Sequence, residues 1–263
     1  MTITTHSAEA NTAFRRWAVL ISITLATMQY AMAILVVSVV LPQMQGYLSA
    51  TQDEIAWVMT INILATAVIT PMSGWLAARF GRRQVMLGSM AGFTVATLFC
   101  GIAPNLPFLV LFRIAQGAFG APLIPIGQAI ILDTFPKHQH GVATSVFGMA
   151  VVVGPVIGPI WGGWLAEDYG WPAAFFMFLP FGVIALAGLY LFLTDKSKPS
   201  DVTLDWTGFL SLSVAVICLQ LLLSRGQRND WFESPEIIIE LSLIHISEPT
   251  RPRLISYAVF CLK

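Results

Sequence analysis

The chain has 263 residues, 56% of them hydrophobic and only 11% charged, and no net charge. A mean hydropathy of +0.75 excludes an ordinary soluble domain, in which about a quarter of residues are charged, and nothing calls for a nucleic-acid partner. Cys100, Cys218 and Cys261 have neither disulfide nor ligand spacing, so no metal or cofactor is expected.

A membrane crossing needs roughly 20 mostly apolar residues, and seven such stretches occur, each bounded by charges, Pro or Gly: 17–41, 55–77, 85–103, 108–132, 142–166, 173–193 and 206–223. An all-α polytopic membrane protein is therefore expected. Basic residues stay cytoplasmic in short loops. A cytoplasmic N-terminus puts Arg15, Arg16, Arg79, Arg82, Arg83, Lys137, Lys196 and Lys198 inside, against Arg225 and Arg228 outside. The outer loops hold Asp53, Glu54, Glu167, Asp168, Asp230 and Glu233.

Residues 1–14 read as a polar cytoplasmic tail and 15–195 as a six-span bundle. The first stretch is too long for a signal-peptide core and lacks a cleavage site, so it stays as span 1. Gln29, Tyr30 and Ser38 interrupt it, and Met28, Tyr30 and Met32, with Asn62 from span 2, suit either an adaptable pocket or plain packing. Spans 2 and 3 are joined by Gly74-Trp-Leu-Ala-Ala-Arg79-Phe-Gly81-Arg82-Arg83-Gln84. Gly81 supplies the tight turn. The arginines either hold helix-end carbonyls and acidic partners as a gate between bundles, or only anchor the basic side.

Span 4 carries Arg113 about two turns from its outer end, where a guanidinium costs about 2.5–3.5 kcal/mol at helix-centre depth. Gln116, Gly117, Gly120 and Ala121 follow at steps of three and four, giving one face with small residues that admit a neighbouring helix. Arg113 and Gln116 either face a wet central cavity and handle protons or substrate, or stabilise the bundle. Gln128 and Asp133 follow; Asp133 lies near the cytoplasmic end as a candidate proton carrier or an interfacial anchor. Span 5 contains Gly154-Pro155-Val-Ile-Gly158-Pro159-Ile-Trp-Gly162-Gly163. Its small residues recur every four positions and permit close backbone contact, and its prolines should bend the helix. It reads as tight packing or as a shaped wall of a transport pathway. A linker at 196–205 leads to span 7 and the start of a further helix within 206–240.

Residues 74–82, G-W-L-A-A-R-F-G-R, match residues 163–171, G-W-L-A-E-D-Y-G-W. Three spans separate the copies, so they lie on opposite membrane faces, which is a three-plus-three inverted repeat. From Leu241 the chain loses helical period. Leu241 to Arg251 resembles the translated end of a transposase-based sequencing adapter, so 241–263 is expected to be foreign and the chain truncated.

Together these segments resemble the major facilitator superfamily. Residues 74–87 look like its G-x-L-A-D-R-x-G-R-R-x-x-x-L motif, Leu109 to Ala121 like L-x-x-x-R-x-x-Q-G, and Gly154 to Gly163 like the antiporter motif G-P-x-x-G-P-x-x-G-G. Leu204 to Gly208 with Arg225 to Phe232 is similar to the extra central helices of the EmrB/QacA type, which has about fourteen spans. The resemblance implies the N-terminal half of a multi-pass protein of the bacterial inner membrane. It implies proton-driven extrusion of amphipathic compounds, in some relatives with a periplasmic adaptor and an outer-membrane channel. Two departures stand out: Ala78 replaces the motif's Asp, and Ala33 stands where many relatives carry an acidic residue. A metabolite or siderophore exporter, an importer on the same fold, and a non-transporting membrane sensor or scaffold are the alternatives. An enzyme is not expected, because no nucleophile, base and orienting group occur together.

Overall fold

The structure is a computed structural model that describes residues 3–194, 202–226 and 235–247. Lys196, Lys198, Arg228, Asp230, Glu233, Arg251 and Cys261 lie outside the described residues, as does most of the expected foreign tail. Every regular element among the described residues is helical. The helices are α1 (Ile3–Leu48), α2 (Gln52–Phe80), α3 (Arg82–Gly101), α4 (Leu106–Gly120), α5 (Leu123–Thr134), α6 (His140–Tyr169), α7 (Ala173–Phe176), α8 (Phe178–Phe192), α9 (Trp206–Arg225) and α10 (Pro235–Ser247). Seven of these helices or helix pairs are long and apolar enough to cross a membrane, matching the seven apolar stretches.

The structure differs from the expected elements in four places, two of which have a proline as their local cause. Helix begins at Ile3, within the expected tail. Span 4 divides into α4 and α5 at Ala121-Pro122, and span 6 into α7 and α8 at Met177. Pro122 and Pro180 each lack an N–H and crowd the carbonyl four residues back. Pro155 and Pro159, by contrast, lie inside the single continuous helix α6. At the far end, α10 runs unbroken through 241 to Ser247.

The start signals sit where the chain needs them. Thr51 and Glu54 form a reciprocal capping box on α2, Asn105 accepts from the Phe108 N–H to cap α4, and Asp205 accepts from the Gly208 N–H to cap α9. Both repeat copies end alike. Gly81 closes α2 at φ 86° with its N–H on Ala77, and Gly170 closes α6 at φ 84° with its N–H on Ala166. These are the two positive-φ glycines among the described residues. Their backbone is close to accessible to Gly alone, so a side chain there costs about 1–3 kcal/mol. Gly81→Ala and Gly170→Ala are each expected to destabilise by about that amount, equally at the two ends; thermal melts of the two variants in detergent check it.

The symmetry extends into the packing. Helix α1 lies along α6, and α2 along α4, which are equivalent pairs under the repeat. On α6, a Cβ at Gly154 would meet the Met28 carbonyl at 2.9 Å, one at Gly158 the Met32 carbonyl at 3.0 Å, and one at Gly162 the Val36 side chain. Ala65, as far ahead of Gly74 as Gly154 is of Gly163, sits against Gly117 in the other pair. A single buried apolar core joins the six spans. Helix α9 packs on α2, with the Trp75 indole N–H donating to the Val202 carbonyl (2.9 Å) near one end and the Thr60 and Ser224 hydroxyls 3.5 Å apart near the other. The α2–α3 turn marks a basic end of the bundle and the α1–α2 loop an acidic one.

Candidate functional site

Arg113 is only 1% exposed and is among the largest fully buried side chains. Its Nε donates to the Val58 carbonyl at 3.1 Å, and its terminal nitrogen to the Gln116 Oε1. Asn62, one turn on from Val58, returns the contact: its Nδ2 donates to the Arg113 carbonyl at 2.9 Å. Gln116 passes its other group onward, Nε2 donating to Thr97 Oγ1 at 2.8 Å, and that hydroxyl ends on the Phe93 carbonyl at 2.7 Å. The charge is thus tied to α2, α3 and α4 by a chain of hydrogen bonds, which lowers the cost of an ion in a medium of low dielectric. The partners are all neutral.

A second branch brings in α1. Tyr30 donates its hydroxyl to Thr66 Oγ1 at 3.1 Å, and Thr66 lies 2.9 Å from the Asn62 carbonyl and 3.3 Å from that of Gly117. The two branches meet because α4 carries no side chain where it touches its neighbours. A Cβ at Gly117 would lie 2.4 Å from the Asn62 carbonyl oxygen, and one at Gly120 would lie 2.4 Å from the Tyr30 ring. The small residues beside Arg113 therefore admit α2 and α1, as their spacing implies.

Of the pocket candidates, Tyr30 and Asn62 join this network. Met28 and Met32 instead turn toward the glycine face of α6. Asp133 is not brought to Arg113. It lies at the far end of α5, some twenty residues on and so about 30 Å along the axis, and it pairs with Arg82. Gln128 and Ser38 are exposed. Gln29 is 2% exposed, and neither of its amide atoms finds a partner among the described residues.

The basic turn forms a second constellation. Gly81 lets the chain reverse within one residue, so Arg82 and Arg83 open α3 beside two other helix ends. Arg82 reaches Asp133. Arg83 donates from Nε to the Leu193 carbonyl (2.6 Å) and from its terminal nitrogen to that of Tyr190 (3.2 Å), with its guanidinium 5.7 Å from the Tyr190 ring centre. Arg15 adds a bond to the Phe192 carbonyl at 3.1 Å. The free carbonyls at the end of α8 are thus held by cations, which complement the helix dipole. Arg79 is exposed and Gly74 half-buried. On α6, Gly154, Gly158 and Gly162 are buried, whereas Pro155, Pro159 and Gly163 are half-buried at the margin of that face. Thr66 and Thr97 were not singled out by sequence. The spacing of Asn62, Thr66 and Thr70 along one helix face is the signal that could have found the first of them.

Comparison with known proteins bears on the family and the fold. The family described as Major Facilitator Superfamily matches residues 20–261. The chain is 36% identical over 220 residues to the multidrug export protein EmrB of Haemophilus influenzae, covering 83% of this chain and 43% of that protein. It is 37% identical over 221 residues to the fatty acid resistance protein FarB of Neisseria gonorrhoeae, covering 84% and 44%. The chain thus spans less than half the length of these relatives. Among solved structures, it superposes on a bacterial homologue of the human lysosomal transporter Spinster with a TM-score of 0.59, covering 89% of this chain and 59% of that one at 19% identity. The peptide transporter POT in complex with sulfate gives a TM-score of 0.62 at 15% identity, covering 86% and 48%. At such identities the likeness is one of fold.

Proposed function

We propose a transport function from a plain premise: this chain belongs to the Major Facilitator Superfamily, a family of membrane transporters rather than enzymes. It supplies the N-terminal half of a proton-coupled exporter of amphipathic compounds. The observation that carries this reading is Arg113, a fully buried guanidinium whose partners are all neutral. An Arg stays charged even when buried. A fixed cation at that depth lowers the proton affinity of any carboxylate brought near it and gives protonation and substrate binding a common lever. The proton-carrying carboxylate is expected in the half that faces this one, because Ala33 offers none in span 1. The site of a two-halved carrier lies at the interface near the midplane, so this stretch expressed by itself is expected to confer no resistance.

The protein sits in the bacterial cytoplasmic membrane with its N-terminus and its basic end cytoplasmic, as loop charge directs. Names of the relatives support amphipathic substrates such as drugs and fatty acids. A periplasmic adaptor and an outer-membrane channel are partners consistent with that reading. The glycine stripe of α6 gives a side-chain-free track on α1 along which the helix pair can shift.

The test is dye extrusion by the full-length protein in inverted vesicles. Extrusion is expected to follow an imposed pH gradient and stop with a protonophore; extrusion indifferent to the gradient overturns the coupling. Within this scheme the Arg82–Asp133 pair is a latch at the basic end. Its side chains are 39% and 55% exposed, so Asp133→Asn should change stability by under about 1 kcal/mol while lowering the extrusion rate. The charge-swapped double variant, Arg82→Asp with Asp133→Arg, should restore the rate. No loss in the single variant would reduce the pair to an anchor.

A further inference from the structure

Helices α3 and α8 are equivalent in the repeat and pack against each other, yet they do not close along their whole length. Toward the acidic end the fit is tight: a Cβ at Gly182 would lie 2.8 Å from the Thr94 hydroxyl, and one at Gly101 would lie 2.5 Å from the Phe176 ring. Toward the basic end they part. Gly88 has no atom within 4 Å of where its Cβ would stand, and a cleft of about 520 Å³ opens there, lined by Leu87, Gly88 and Ala91 of α3 and Leu186, Ala187 and Tyr190 of α8. Small residues on both walls would let the helices meet, as they do at Gly182, but here the space is kept. The walls are almost wholly apolar, and Gly88 and Tyr190 are exposed among the described residues.

Its basic-end mouth has the opposite character. Arg83 lies over Tyr190, the last wall residue, and Arg15 reaches the same helix end. A guanidinium carries five N–H groups. The bonds to α8 use two of them in Arg83 and one in Arg15, leaving donors for an anion. An apolar slot under a pair of cations, at the depth where acyl chains meet headgroups, is complementary to one molecule type. We propose that this cleft holds an acyl chain of an anionic phospholipid from the leaflet at the basic end, with its phosphate at Arg83 and Arg15. The site is distinct from the Arg113 network and does not depend on what the protein transports.

The proposal is tested with the purified chain in phosphatidylcholine vesicles containing phosphatidylglycerol that carries a diazirine in mid-chain. Crosslinks should concentrate in peptides spanning 85–91 and 183–190. Gly88→Leu, which fills the cleft, should abolish this enrichment. Gly148→Leu, at another position with open space, should leave it intact. Arg15→Gln and Arg83→Gln should each weaken retention by about fivefold, the effect of one basic residue near a charged membrane surface. Labelling of the unaltered chain spread evenly over all spans would overturn the site, independently of how the variants fold. Equal labelling by a diazirine-bearing phosphatidylcholine would overturn the anionic assignment, and displacement by an amphipathic drug but not by unlabelled phosphatidylglycerol would reassign the cleft to substrate.

Discussion

Gly117→Ala is expected to destabilise the bundle more than a methyl group does almost anywhere else in the chain. The added carbon would stand 2.4 Å from the Asn62 carbonyl oxygen and 3.1 Å from its amide nitrogen. Neither can swing aside cheaply, since the oxygen is backbone and the amide is bonded to the Arg113 carbonyl. Helix α2 must then move by about an ångström, losing the bonds from Asn62 and Thr66 to α4. Overpacking and two lost hydrogen bonds together amount to roughly 3–5 kcal/mol. Gly148→Ala, where a Cβ meets nothing, should act in the opposite direction and stabilise by up to about 1 kcal/mol through helix propensity. Thermal midpoints of the two variants in detergent measure the contrast; equal midpoints would mean that α2 and α4 do not approach as described.

Replacing Arg113 separates charge from packing. Arg113→Met keeps an unbranched side chain of comparable length and removes the ion. Removing the charge relieves its desolvation, while the Val58 carbonyl and the Gln116 amide oxygen each lose a donor at about 1–3 kcal/mol; the opposing effects should leave the melt close to that of the unaltered protein. Dye extrusion by the full-length protein should fall at least about tenfold, a loss of roughly 1.4 kcal/mol or more from the transport barrier. Arg113→Lys keeps the charge but lacks the fork that spans the Val58 carbonyl and Gln116, so its rate should lie between the two. Wild-type extrusion by the Met variant would show that the guanidinium serves the bundle and not transport.

The spans, the repeat and the buried Arg were legible in the sequence because each rests on a strong one-dimensional signal: length of apolar run, a repeated Gly-Trp-Leu-Ala segment, an ion among apolar neighbours. The partners of Arg113 were less so. Gln116 shares its helix and could be placed by spacing, but Val58 contributes only a carbonyl, which every residue owns, and Thr97 is one of three hydroxyl residues on its span, with Ser89 and Thr94, that composition does not tell apart. Met28, Met32, Tyr30 and Asn62 looked alike as candidate pocket residues, yet the structure turns the methionines to α6 and the other two to the Arg113 network. Rotation about a helix axis decides that, and a helix polar or small on several sides does not encode it. Asp133 was read correctly as lying near a helix end; its pairing with Arg82 depends on how α5 meets the α2–α3 turn.

The matching reversals at Gly81 and Gly170 have an implication for how the protein enters its membrane. One and the same turn serves at either leaflet, so its shape contains no heading. By the bias of short loops, the heading comes from the arginines around it, present in the first copy and absent from the second, where Glu167 and Asp168 stand. A three-helix segment of this kind is a brick that fits either way up, and a handful of codons decides which face it shows the cell interior.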